Sequence, residues 1–180
     1  MDKKLLRIAQ DRLRIVDIAL RASRATLADE FEPKYEHPAV EVQFMQRTAR
    51  SELMEITNDD VKRELFRVFV DFGIRWVRTH KRGKSKARKR AVPAADDKPD
   101  VLATIEATFI AEYEMDESTE KAALDEFALH NAPWHIWPYW REFVASQCMR
   151  LNLPKVAMPM QCLASRTNAK KELKDSTERS

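Results

Sequence analysis

Between Leu65 and Val77, apolar side chains recur at every second residue. Phe66, Val68, Val70, Phe72, Ile74 and Trp76 share one side, while Arg67, Phe69, Asp71 and Arg75 share the other. Period two collects these groups on one surface where a helix would scatter them, so this stretch is a strand with one greasy face. Val101 to Met115 repeats the pattern, with Ala103, Ile105, Ala107, Phe109, Ala111, Tyr113 and Met115 against Thr104, Glu106, Thr108, Glu112 and Glu114. Two further strands are predicted upstream. Ile15 to Leu27 places Val16, Ile18, Leu20 and Ala22 on one side, and Val40 to about Met54 does so with Val40, Val42 and Phe44. Alternation of this kind belongs to antiparallel sheets with one solvated face, and no helical stretches lie between the strands to make crossovers. The expectation is an antiparallel sheet, read as a meander. Residues 1–14 are mixed and charged, either a short helix or an irregular lead-in.

After Met115 the period changes. A helix is expected through Leu129, capped by Asp116 or Ser118, with Ala123, Leu124, Phe127 and Ala128 inward. Asn131-Ala132-Pro133 ends it. A second helix is expected from about Trp137, with Pro138 in its first turn and Trp137, Trp140, Phe143, Val144, Cys148 and Leu151 at helical spacing. Pro154 to Pro159 should run extended over the core. The fold class is therefore α+β: a four-stranded antiparallel sheet followed by two helices packed on one face. The organisation is a lead-in at 1–14, one domain over 15–160 and a polar, disordered tail at 161–180.

Charge sets apart one segment. The chain has a formal net charge of +3, yet the eight Lys and Arg between Arg78 and Arg90 leave −5 for the rest. This run opens a long, polar, proline-containing insert at 78–100, expected to be an exposed hairpin loop. Lys81, Arg82, Lys84, Lys86, Arg88, Lys89 and Arg90 are the candidate nucleic-acid contacts, through phosphate neutralisation. The run lacks interleaved aromatics and any groove-reading element, so the solvated loop is the simpler reading.

Catalytic constellations are missing. Two glycines in the chain cannot build a phosphate cradle, the four histidines show no HExxH spacing, and the two cysteines make no disulfide framework. A Cys148–His nucleophile is conceivable from proximity in sequence, but a thiol packed on a helix face accounts for Cys148 better. No signal-like h-region or membrane-length apolar run is present, and a reducing cytoplasm suits the composition. The unusual feature is the run from Pro133 to Trp140. Trp134, Ile136, Trp137, Tyr139 and Trp140, with Phe143, cannot all lie on one face of one helix, so some are candidates for contact with a subunit or a polypeptide client.

The segment Trp137-Pro138-Tyr139-Trp140-Arg141-Glu142, then Leu151-Asn152-Leu153-Pro154-Lys155-Val156, resembles the long-helix motif and the following apolar step of SecB-type export chaperones. Pro38 to Phe44 is similar to that family's second-strand entry, and the resemblance spans roughly residues 14 to 160. It implies a non-enzymatic holdase without a cofactor, assembled as a dimer of dimers and binding unfolded polypeptides in apolar grooves. Arg141 and Glu142 would fix helix packing or an inter-subunit pair. Export members carry first-strand acids that dock the export ATPase, where this chain has Arg21 and Arg24. They are also acidic overall and have a further C-terminal helix. The resemblance thus leans toward divergent SecB-like proteins, some of which serve one client such as an antitoxin.

Overall fold

A computed structural model describes residues 1–58, 61–79 and 99–159. Helix α1 (Lys3–Arg12) leads without a break into strand β1 (Leu13–Leu27). Strands β2 (Val40–Asn58), β3 (Val61–Arg78) and β4 (Val101–Met115) follow, then helices α2 (Lys121–His130) and α3 (Ala132–Arg150). The opening segment is thus helical. The Asp2 carboxylate accepts from the amides of Lys4 at 2.9 Å and Leu5 at 3.2 Å, which satisfies two of the first-turn donors. Arg12 stands in the last turn, where a cation complements the helix dipole.

All pairings are antiparallel and the spatial order is β1-β4-β3-β2. This corrects the plain meander. β2, β3 and β4 follow one another, but β1 lies beside β4, the strand order of a Greek key entered from its other end. Residues 28–39 carry the chain from one edge of the sheet to the other. Strands β2 and β3 also run past their expected limits, to Asn58 and from Val61.

The expected face of β1 does not survive intact. Register shifts between Ile15 and Asp17 and between Leu20 and Ala22 each insert one residue. Every such bulge reverses the phase of the residues beyond it. Ile18 and Leu20 pair with Ala111 and Phe109 on the helix side, whereas Val16 falls in one bulge and Ala22, opposite Thr108, faces the other side.

The helices cover one face of the sheet, as expected. Phe72 of β3 stacks on Trp140 of α3 at 5.4 Å between centroids and contacts Trp137 at 6.0 Å. Phe109 of β4 meets Phe143 edge-on, and Tyr113 meets Phe127 of α2 edge-on at 4.9 Å. Such pairs add to the burial of large apolar area. Helix boundaries differ from expectation in two places. α2 starts at Lys121, and neither Asp116 nor Ser118 caps it; Arg12 instead donates to the Ser118 carbonyl at 2.9 Å. α3 starts at Ala132, so Pro133 takes the first turn that was expected for Pro138, and Pro138 sits inside the helix on its exposed side. Beyond Asn152, which holds a left-handed turn at φ 53°, Leu153 is buried and Val156 and Met158 pack against the core. The Trp137 indole donates to the Pro159 carbonyl at 3.0 Å.

Candidate functional site

The aromatic run divides along the helix. Ile136, Trp137 and Trp140 are buried against the sheet, and Phe143 is half-buried, parallel to Trp140 at 6.1 Å. These residues fill the chain's own core, which removes the first three from any surface open to a partner in this conformation. Trp134 and Tyr139 lie outside, 39% and 50% exposed. Spacing dictates the split: positions 136, 137, 140, 144 and 148 return to one face, and 134, 138 and 139 point away from it. Met149, further along the outer side, is 74% exposed. Arg141 is half-buried and Glu142 exposed.

More apolar surface lies on the two edges of the sheet. Ile15, Val16 and Leu20 of β1 are exposed, as are Phe44, Met45 and Leu53 of β2. A long edge strand with exposed apolar side chains offers unpaired backbone groups to another chain. Sequence reasoning missed this surface because alternation marks a strand without saying which neighbours it has. β1 read as a half-buried strand, yet only one side of it is paired.

The face of the sheet away from the helices is an ionic lattice. Arg47 pairs with Asp71 at 2.6 Å, and Asp71 also accepts from the Thr108 hydroxyl. Arg67 lies between Glu52 at 3.2 Å and Glu112 at 2.8 Å. The Arg50 guanidinium covers the Phe69 ring at 3.7 Å and helps keep that ring from water. Arg14 donates to Glu114 at 2.6 Å, and this bond holds the Glu114 carboxyl below its usual range.

Among the described residues, Cys148 and the histidines are not brought together. Cys148 is buried, which pushes its thiol pKa up, the wrong direction for a nucleophile. It lies thirteen positions along the helix from His135, about 20 Å at the rise of an α-helix. His135 instead meets the Tyr113 hydroxyl through Nδ1 at 2.9 Å. Burial lowers the pKa of His135 and raises that of Tyr113. Among the described residues no group of His, Cys, Asp and Glu could hold a metal ion, and no helix is long and apolar enough to cross a membrane. Lys81, Arg82, Lys84, Lys86, Arg88, Lys89 and Arg90 lie outside the described residues, as does the expected tail.

A four-stranded antiparallel sheet in this order, with two C-terminal helices on one face, is an α+β SecB-like fold. The structural likeness that shows it is to the SecB-like chaperone Rv1957 of Mycobacterium tuberculosis, solved in complex with a ChAD peptide from the HigA1 antitoxin. That match has a TM-score of 0.57 at 16% sequence identity and covers 89% of this chain and 98% of the other. No protein-family model matches the chain, and no curated protein matches it by sequence.

Proposed function

We propose that this protein is a SecB-like holdase, a non-catalytic cytoplasmic chaperone that binds unfolded or partly folded polypeptides. The single observation that carries the reading is the fold, matched over nearly the whole of a chaperone solved with a peptide bound. The exposed apolar side chains on β1, β2 and α3 support it, since weak contacts repeated along an extended client need no sequence code. Trp134 and Tyr139 are the members of the aromatic run offered to a client or a second subunit. We assign the assembly as a dimer of dimers, in keeping with the long unpaired edge of β1.

A client such as an antitoxin suits the chain better than general export. Arg21 and Arg24 are exposed on β1, and a surface that docks through first-strand acids would be reversed in sign there. The basic run at 78–90 supports a second reading, nucleic-acid binding. One experiment separates the two. Purified protein should slow aggregation of a chemically denatured client at about stoichiometric amounts, and removal of residues 81–90 should leave that activity in place. Failure to slow aggregation at any ratio, together with loop-dependent and steeply salt-sensitive binding to nucleic acid, would favour the second reading.

A further inference from the structure

A chain of four polar side chains joins α1 to the core of the molecule. Gln10 Nε2 donates to Asn131 Oδ1 at 2.8 Å, Asn131 Nδ2 faces His135 Nε2 at 3.4 Å, and His135 Nδ1 meets Tyr113 Oη at 2.9 Å. The elements involved do not share a hairpin or a helix. Gln10 belongs to α1, Asn131 is the corner residue between α2 and α3, His135 lies in the first turns of α3 and Tyr113 is on β4. Because Asn131 presents its NH₂ group to Nε2, that nitrogen is an acceptor and the imidazole carries its hydrogen on Nδ1, donating to Tyr113. Every bond in the chain therefore runs in one direction, from Gln10 to Tyr113.

A proton taken up from solvent at Nε2 turns that acceptor into a donor, and two donors then face each other across the Asn131 contact. The new cation sits between the rings of Tyr113 and Phe127, at 5.7 and 6.1 Å from its own. Tyr113 is fully buried, and burial raises its own pKa, so it supplies no negative charge. Of the ionisable groups on the packed elements, Glu126 and His130 of α2 engage each other at 3.4 Å, Lys121 pairs with Asp125 at 2.8 Å, Arg12 of α1 faces Glu117 at 3.5 Å, and Glu112 and Glu114 of β4 pair with Arg67 and Arg14 on the far side of the sheet. None of them is within salt-bridge distance of His135 among the described residues. Opening toward water hydrates the cation at the expense of the bond from Gln10, an exposed residue.

We propose that His135 is a proton-operated catch on α1: protonation opens the Gln10–Asn131–His135 chain and releases the N-terminal helix from α2. Release uncovers Ala9, which is fully buried, and the partly buried Leu5, Leu6 and Ile8. Mild acid thereby adds apolar surface to the molecule. The inference is independent of the holdase reading, because its readout needs no client.

Amide hydrogen exchange on the full chain tests it, expressed as protection relative to the intrinsic rate at each pH. Between pH 7.5 and 5.0, protection across residues 3–12 should be lost progressively, while residues 66–76 stay unchanged. In His135→Gln the fall should vanish, and in His130→Gln it should persist. Unchanged protection of α1 in the wild-type chain, or an equal fall in His135→Gln, overturns the proposal. Should His135→Gln not fold, ring-nitrogen NMR of the wild-type chain decides. A His135 titration midpoint coincident with α1 opening supports the catch, and a separate midpoint overturns it.

Discussion

Two tryptophans facing the same core are held differently. Trp137 donates its indole hydrogen to the Pro159 carbonyl, whereas the buried indole nitrogen of Trp76 has no partner among the described residues. A lost hydrogen bond with a stranded acceptor costs more than removal of a donor that had none. Trp137→Phe should therefore destabilise the fold by about 1 kcal/mol more than Trp76→Phe, read as the difference in urea midpoints at constant slope. His135 gives a pH dependence with a defined sign. Burial lowers its pKa in the folded chain, so the unfolded chain binds the proton more readily. Its contribution is complete above the ordinary histidine value of about 6.5 and is lost as pH falls below it. Thermal midpoints at pH 7.5 and 5.5 should show that loss, and His135→Gln should flatten it.

Strands β3 and β4 were legible because each contributes a continuous apolar face to one core; the alternating residues from Phe66 to Trp76 and from Ala103 to Tyr113 all lie there, and Leu102 joins them off the period, beside the register shift at Trp76 and Val77. β1 was legible as a strand but not in its facing, since its two bulges leave no mark in an alternation of Ile, Val, Leu and Ala. The start of α3 was misplaced because two prolines five residues apart both suit a first turn, and only the corner at Asn131 selects Pro133. The candidate site was half legible. Six residues of the aromatic run stood out, but which of them face inward depends on the helix phase, and the exposed sheet edges depend on strand order. Edge position also yields a prediction. Val16→Lys with Leu20→Lys alters two exposed side chains of β1, so thermal stability should change by no more than about 1 kcal/mol. If β1 joins protomers, native mass measurement should show the assembly reduced to smaller species.

For the molecule as a whole, one layer of helices and an ionic lattice lie on opposite sides of a single sheet. Stability rests on the helix side. Trp140→Ala would remove the ring stacked on Phe72 and should cost about 3–5 kcal/mol, measurable by denaturant titration. On the opposite side, Arg47→Ala breaks an exposed pair with Asp71 and should cost less than about 1 kcal/mol, with the effect fading in high salt. The strand order has a consequence for how the chain comes into being. β1 leaves the ribosome ahead of every other strand but pairs only with β4, whose residues are made roughly ninety positions later. Until then α1 and β1 have no docking partner, while the β2–β3 hairpin closes locally at once. Among the four strands, the earliest made must thus wait for the latest before it is paired, and the young protein must itself be kept from sticking to its neighbours during that interval.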